Sequence, residues 1–247
     1  MQTEKSQKAE VMSHLRQAIR GIEGYKQTRS ASMTTGILEI DQSLPGGSFP
    51  LAAIHEFVTS GAEDGAAASG FLSALLSTIA GDKGVILWIV KDLNLFPPSL
   101  KVFGLDPDRI IFVVLPKPQE ALWAMEEALR CRELVSVVCE ISDPDLTATR
   151  RMQIAAEKSG VTGFLLRMNP KKTSSTSCVS RWNVRSLPSG IDKGCPGVGF
   201  PRWQLELLKV RNGMPGSWSV EWRGRAFHHV KPEGQAEIRP GRLAAAG

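Results

Sequence analysis

The sequence predicts an α/β protein whose mostly parallel sheet is flanked by helices and followed by an antiparallel β-hairpin. Short, continuous apolar runs such as GVILWIV (84–90) and VSVVCEI (135–141) are typical of strands that are buried on both faces. Segments with helical apolar spacing, such as QEALWAMEEALRCR (119–132), separate these runs. The alternation of buried strands with amphipathic helices over 50–168 is the pattern of βαβ units.

Each element of this region follows from its local pattern. Five strands are predicted, at 51–58, 84–90, 110–115, 135–141 and 161–168. The small, flexible stretch TSGAEDGAAASG (59–70) leads into a helix that begins at Phe71. A brief helix is expected around 97–103, and a longer one is expected between Asp143 as N-cap and Gly160 as its stop.

The pattern changes after residue 168. Residues 169–180 are polar and predict a loop, RWNVRSL alternates as a strand does, and WQLELLKVRNGMPGSWSVEWRG predicts a hairpin joined by NGMPG. Apolar residues at helical spacing near the N-terminus predict an amphipathic helix there. We therefore expect an N-terminal helix at 1–27, a core domain at 28–227 and a disordered tail at 228–247.

The composition is that of a globular protein. The 247 residues, 42% of them hydrophobic, are enough for one sizeable core. No run approaches the roughly 20 apolar residues of a membrane-spanning helix, and the polar N-terminus lacks a signal-peptide pattern, so we expect a soluble cytoplasmic protein. The four cysteines form no C-x-x-C pair, which argues against a metal site, and Cys139 is expected to be a buried thiol.

Charge is distributed unevenly along the chain. Residues 1–149 contain 13 Lys/Arg and 19 Asp/Glu, whereas residues 150–230 contain 14 Lys/Arg and four Asp/Glu. The first part therefore has a net charge of −6 and the second a net charge of +10. Such a basic segment is a candidate for binding nucleic acid or an acidic partner. The alternative is a solvated surface that happens to be rich in lysine and arginine.

The first strand-to-helix connection is the place where a phosphate-binding loop belongs. Such a loop needs glycines, a lysine that meets the phosphates and a Ser/Thr hydroxyl for Mg²⁺. Here Gly61 and Gly65 are separated by three residues instead of four, and Ala66 and Ala67 stand where the lysine and the hydroxyl would be. The acidic pair at 63–64 would repel a triphosphate.

We therefore expect no cofactor and no efficient ATP hydrolysis, because most of the electrostatic stabilisation that phosphoryl transfer requires is missing. Amides at a helix N-terminus alone can hold an anion, so weak nucleotide binding stays open. The other interpretation is a plain Ala/Gly turn between a strand and a helix.

The remaining acidic and histidine candidates are isolated in the sequence. Glu140 ends a predicted strand and is either a metal-coordinating carboxylate or a helix cap. Asp92 follows another strand at a position suited to activating a water, but Lys91 stands beside it. His55 lies in a strand, and no Ser-His-Asp grouping accompanies it, so we expect a structural histidine.

Several segments together resemble a known family. TTGILEIDQSLPGGSFPLAAIHEFV is similar to the start of the RecA core, and FGLDPDRIIFV, EALWAMEEALRC and VSVVCEI continue in RecA order. With DLTATRRMQIAAEKSG, GFLLR and GFPRWQLELLKVRNGMPGSWSVEW, the set resembles the ImuA family over roughly 28–227. These are bacterial damage-inducible mutagenesis proteins, distantly related to RecA and to the SulA cell-division inhibitor.

The resemblance implies a RecA-like P-loop fold and a role in the SOS response. Members act with ImuB, an inactive Y-family polymerase homologue, and with an error-prone replicative-type polymerase in a translesion mutasome. We therefore expect a non-catalytic accessory protein that bridges ImuB, RecA and the polymerase at the nucleoid. Two alternatives stay open: a weak RecA-class DNA-dependent ATPase and a SulA-like inhibitor of the cell-division GTPase.

In RecA-like cores, a loop after the fourth core strand contacts single-stranded DNA, and the matching position here is 169–180. Basic residues in and around this loop are expected to neutralise phosphates in a salt-sensitive, sequence-independent way. They are Arg167, Lys171, Lys172, Arg181 and Arg185. Trp182 is either a base-stacking residue or a core residue, which is the commoner role of a tryptophan in an alternating strand.

Overall fold

The described part of the protein is organised around one nine-stranded mixed sheet. The computed structural model describes residues 31–170, 175–192 and 197–230. A two-stranded ribbon, β1 (Ser32–Met33) and β2 (Phe49–Pro50), precedes this sheet. The strands of the large sheet are β3 (Ile54–Thr59), β4 (Val85–Val90), β5 (Ile110–Val114), β6 (Leu134–Glu140), β7 (Thr162–Met168), β8 (Ser180–Gly190), β9 (Phe200–Val210), β10 (Gly216–Arg223) and β11 (Ala226–Val230). The helices are α1 (Leu38–Ser43), α2 (Ala62–Ala80), α3 (Pro118–Ala128) and α4 (Leu146–Ser159).

The strand order across the sheet is β11-β10-β9-β8-β3-β7-β6-β4-β5. Every pairing from β8 to β5 is parallel, and the pairings among β8, β9, β10 and β11 are antiparallel. This confirms an α/β fold with a mostly parallel sheet and a C-terminal antiparallel part. Because the parallel strands run the same way, their carboxyl ends form one edge of the sheet, which we call the carboxyl edge.

Helices cover both faces of the parallel part. Phe164 and Leu165 are consecutive in β7 and both fully buried, yet they belong to different apolar clusters, because successive strand residues point to opposite faces. On one face, Phe164 packs in a cluster with Leu72 and Leu76 of α2. On the other face, Leu165 shares a cluster with Met125 of α3 and with residues of α4. The predicted flanking helices are therefore present.

The antiparallel strands extend the first of these clusters. Trp182, Trp203, Trp218 and Trp222 are all buried on the same face as α2. The Trp182 ring lies nearly parallel to Phe57 of β3, with ring centroids 6.3 Å apart and 9° between the planes. This position favours the core interpretation of Trp182 over a base-stacking role.

Two predictions around the first helix were wrong. We expected a flexible stretch over 59–70 and a helix from Phe71, but α2 begins at Ala62. Glycines within α2 permit close packing, because a β-carbon at Gly70 would lie 2.8 Å from Phe103. The brief helix expected around 97–103 is present as a 3₁₀ helix, Pro97–Phe103.

Two chain boundaries also differ from the predictions. Asp145, rather than Asp143, caps α4, because its side chain accepts a hydrogen bond from the Ala148 amide. Gly160 ends this helix in the left-handed conformation, as predicted. The strand β11 includes residues 228–230, which we had assigned to the tail, while 1–27 and 231–247 lie outside the described residues.

None of the helices in the described residues combines the length and apolar character that a membrane crossing requires.

Candidate functional site

The turn from β3 to α2 is shorter than the G-x-x-x-x-G-K-[ST] phosphate-binding loop. The strand β3 ends at Thr59 and α2 begins at Ala62, so only Ser60 and Gly61 connect them. Gly61 has a φ of 152°, a backbone conformation that favours glycine. The amide of Gly65 already donates the first helical hydrogen bond to the Gly61 carbonyl, at 2.9 Å. The backbone therefore goes directly from strand to helix instead of encircling an anion.

Gly65 packs against the end of β7. A β-carbon at this position would lie 2.5 Å from Sδ of Met168, so the first turn of α2 approaches β7 as closely as only glycine permits. Ala66 is exposed and Ala67 is partly buried, and both belong to the helix. The glycine thus has a packing reason that requires no phosphate.

The acidic pair at 63–64 binds β8. Asp64 Oδ1 accepts a hydrogen bond from the Ser186 amide at 3.0 Å, and Glu63 Oε1 accepts one from the Ser186 hydroxyl at 2.7 Å. Carboxylates are favourable in the first turn of a helix, where the helix dipole is positive. Because two carboxylates already use that positive end, a bound phosphate there would meet their repulsion.

A buried carboxylate, Glu56 of β3, forms the centre of an ion-pair network that the sequence did not reveal. Arg181 Nε donates to Oε2 of Glu56 at 2.7 Å, and the hydroxyl of Thr176 donates to the same oxygen at 2.9 Å. Arg167 Nη1 donates to the other oxygen, Oε1. The side chain of Glu56 is fully buried. Its charge is therefore compensated by two guanidinium groups from neighbouring strands.

The expectation that Arg167 faces DNA was wrong. Its side chain has no exposed surface. Besides Glu56, it donates through Nε to the Ser142 carbonyl at 2.7 Å and through Nη2 to Asp143 Oδ1 at 3.0 Å. A guanidinium so enclosed cannot reach a phosphate from the surface. It instead connects β7 to β3 and to the segment that leads into α4.

The second half of the predicted DNA loop (169–180) is bound to the body of the protein. Thr176 contacts Glu56, as described above, and its carbonyl accepts a hydrogen bond from Lys209 Nζ at 3.2 Å. The amide of Ser177 donates to the Thr149 hydroxyl at 3.1 Å. On the other side, the amide of Asn169 donates to the Thr59 carbonyl at 3.0 Å. Lys171 and Lys172, between these anchors in the sequence, lie outside the described residues.

The two other predicted DNA-binding arginines lie on β8. Alternation along the strand puts Arg181 and Arg185 on the face opposite to Trp182 and Val184. The side chain of Arg181 is 11% exposed because it turns toward Glu56, whereas Arg185 is exposed. Their Cα atoms are separated by four residues, about 13 Å of strand. Of this pair, Arg185 is the one that solvent and a ligand can reach.

The carboxyl edge also carries Glu140, at the end of β6. Burial raises the pKa of Glu140 to about 7, and the nearby carboxylate of Asp92 adds to the shift, although the Lys91 amide opposes it. Among the described residues, no three His, Cys, Asp or Glu side chains are arranged to hold a metal ion. The metal-ligand interpretation of Glu140 therefore finds no supporting ligands in this part of the chain.

His55 is part of a buried hydrogen-bond chain. Trp182 Nε1 donates to Ser180 Oγ at 2.8 Å, and the ring nitrogens of His55 contact Ser180 Oγ at 2.7 Å and the Pro50 carbonyl at 2.8 Å. Because the carbonyl can only accept, His55 Nε2 carries the proton and Ser180 donates to Nδ1. Burial lowers the pKa of His55 to about 4, so the ring is neutral. Because His55 has no exposed surface, it is a structural histidine, as predicted.

Cys139 is a buried thiol, as predicted. Burial raises the pKa of Cys139 to about 12, and the same cause raises the pKa of Cys178 to about 12. Cys131 is exposed, and all three are free thiols. The two buried thiols are therefore protonated and poorly reactive.

The fold and the site together define a class of protein: an α/β domain with a mostly parallel sheet, a strand-to-helix turn without phosphate-binding residues and a carboxyl edge stabilised by buried ion pairs. No family model matches the chain. The chain is 34% identical over 212 residues to Protein ImuA from two strains of Caulobacter vibrioides, which covers 81% of this chain and 87% of the relative. It belongs to the ImuA family.

Proposed function

We propose that this protein is a non-catalytic, RecA-like accessory component of the SOS-induced translesion synthesis mutasome. It acts in the cytoplasm at the nucleoid and bridges an ImuB-type Y-family polymerase homologue, RecA and an error-prone replicative-type polymerase. Membership of the ImuA family supports the pathway. The mostly parallel sheet with helices on both faces supports a RecA-like core.

The observation that carries the non-catalytic part is the turn between β3 and α2. A phosphoryl-transfer site needs a backbone cradle, a lysine and a metal-binding hydroxyl at this place. The turn has two connecting residues, and its helix begins with carboxylates bound to Ser186. Ala66 and Ala67 stand where the lysine and the metal-binding hydroxyl would be. These features favour a scaffold over an ATPase.

Contact with single-stranded DNA is part of the same proposal. Lys171 and Lys172 lie between chain segments that are anchored at Asn169 and Thr176, and Arg185 is exposed on β8. Three cations of this kind bind a phosphate backbone without reading its sequence. Arg167 and Arg181 do not contact DNA in this proposal. They stabilise the strands beneath the surface by their ion pairs with Glu56.

The test combines a genetic and a biochemical measurement. The chain is expressed in a bacterium whose own ImuA gene is deleted, and the damage-induced mutation frequency is measured, while purified protein is assayed for phosphate release from ATP with and without single-stranded DNA. We expect restored mutagenesis, co-purification with ImuB and no phosphate release. Hydrolysis above buffer would favour the weak ATPase, and filamentous growth without mutagenesis would favour a SulA-like inhibitor.

A further inference from the structure

A groove of about 400 Å³ lies between α3 and α4, on the face of the sheet opposite to α2. Its lining differs from the carboxyl edge in being strongly basic. The side chains that matter are Glu126, Arg130, Arg132, Arg151, Ile154 and Lys158. They come from the C-terminal part of α3, the residues just after it, and the middle and C-terminal parts of α4.

Glu126 organises two of the four cations. Its carboxylate is mostly buried, at 14% exposure, and it bridges Arg130 at 2.8 Å and Arg151 at 2.9 Å. This pairing fixes two guanidinium groups across the two helices. Glu126 is also the only carboxylate among the described residues that line the groove. The lining therefore keeps a net charge of +3.

Arg132 and Lys158 account for most of the free positive charge. Both side chains are exposed, and neither forms an ion pair within the described part of the chain. A cation near the C-terminal end of a helix is favourable with the helix dipole, which explains in part the place of Lys158 in the last turn of α4. The dipole does not explain why both cations line a concave surface that also has apolar residues.

The apolar residues of the lining are Ile154, which is 46% exposed, and the buried Ala155. On α3, Trp123 is 68% exposed and lies one helical turn before Glu126. An exposed isoleucine within a basic rim fits a ligand that combines an apolar side chain with carboxylates. Nucleic acid fits less well, because the residues that line the groove include a carboxylate and no aromatic side chain.

We propose that the α3–α4 groove is a docking site for an acidic peptide segment of a protein partner, which places one apolar side chain on Ile154 and its carboxylates against Arg132 and Lys158. The chemistry of the groove supports this site independently of the function proposed above. The residues that line the groove are different from those proposed above to contact DNA.

The experiment measures fluorescence anisotropy of the full chain with labelled twelve-residue peptides. The probes are acidic peptides rich in Asp and Glu around one central Leu, Phe or Met, matched peptides with Asn and Gln in place of the acids, and a thymidine oligonucleotide. The test variant combines Arg132→Glu with Lys158→Glu. The control combines Lys83→Glu with Lys101→Glu, the same charge change at exposed residues outside the groove.

We expect at least one acidic peptide to bind at millimolar concentration or below, and its affinity to fall about tenfold or more in the test variant but not in the control. Ile154→Asn should weaken the same peptide, and the uncharged peptides should not bind. The proposal is overturned if no acidic peptide binds, if test and control variants behave alike, or if only the oligonucleotide loses affinity in the test variant. None of these results depends on mutagenesis or ATP hydrolysis, so the proposed function is tested separately.

Discussion

Arg181 of β8 donates its Nε to Oε2 of Glu56 in β3, 2.7 Å away, and so joins the antiparallel part of the sheet to its parallel part. The two residues are directly opposite in the parallel register of these strands. Arg167 reaches the same carboxylate from β7, on the other side of β3. One buried carboxylate thus cross-links three neighbouring strands.

Loss of the Glu56 charge is expected to destabilise the fold strongly. Removal of one partner from a buried ion pair leaves an uncompensated charge and costs about 3–5 kcal/mol. We expect Glu56→Gln to lower the free energy of unfolding, measured in urea, by about this amount. The matched control is Asp192→Asn, which breaks the half-exposed pair with Arg223 and should cost no more than about 1 kcal/mol. Equal effects of the two substitutions would contradict the central role of Glu56.

The elements that the sequence predicted well are those with a strong local signal. The strands β4 to β7 were predicted to within a few residues, because each is a continuous apolar run with a turn on either side. The edge strand β5 is only partly buried, since Ile111 and Val114 are exposed. The hairpin of β9 and β10 was confirmed for the same reason, since NGMPG separates two alternating segments. Such patterns report local burial, which determines where strands begin and end.

The predictions that were wrong concern residues whose positions depend on contacts between distant parts of the chain. The start of α2 resembled a loop because it is rich in Gly, Ala and Ser, but these small residues allow the helix to approach Met168 and Phe103 closely. Arg167 resembled a DNA-binding residue because a polar loop follows it, but its partners Glu56 and Asp143 are 111 and 24 residues away. Pairings between distant segments follow from the topology rather than from spacing.

Glu140→Gln is expected to change the pH dependence of stability. In the folded state the pKa of Glu140 is raised to about 7 from 4.5. The folded protein therefore binds this proton more tightly, and the stabilisation is lost as the pH rises from about 4.5 to about 7. Relative to wild type, the free energy of unfolding of Glu140→Gln should increase by about 2 kcal/mol between pH 5 and pH 7. Urea unfolding of both proteins at both pH values measures this difference. The prediction is refuted if the free energy of unfolding changes equally with pH in the two proteins.

His55→Gln should change the pH dependence of the free energy of unfolding in the opposite direction. The folded-state pKa of His55 is lowered from 6.5 to about 4, so its contribution is complete above pH 6.5 and is lost as the pH falls toward 4. Relative to wild type, the free energy of unfolding of His55→Gln should therefore decrease by about 2 kcal/mol between pH 5 and pH 7. Each variant is the control for the other, and shifts of the same sign would show that one of the two assignments is wrong.

Replacement of the missing phosphate-loop residues should not create an ATPase. In Ala66→Lys combined with Ala67→Ser, both new side chains belong to α2, while the turn before them still has only two residues. The carboxylates of Glu63 and Asp64 would remain at the helix start. We expect phosphate release from ATP to stay at the level of buffer, with or without single-stranded DNA. Hydrolysis by this variant would mean that the turn rearranges around nucleotide, contrary to the packing of Gly65 on Met168.

The DNA proposal predicts a specific change in salt dependence. For single strands, each neutralised phosphate contributes about 0.7 to the slope of log affinity against log salt concentration. Lys171→Ala combined with Lys172→Ala should therefore reduce the slope for a labelled thymidine oligonucleotide by about 1.4, and Arg185→Ala should reduce it by about 0.7. Lys83→Ala combined with Lys101→Ala removes the same charge from the turn after α2 and from the 3₁₀ helix Pro97–Phe103, and should leave the slope unchanged. If the slope of the first variant equals that of wild type, the lysines between Asn169 and Thr176 do not contact phosphate.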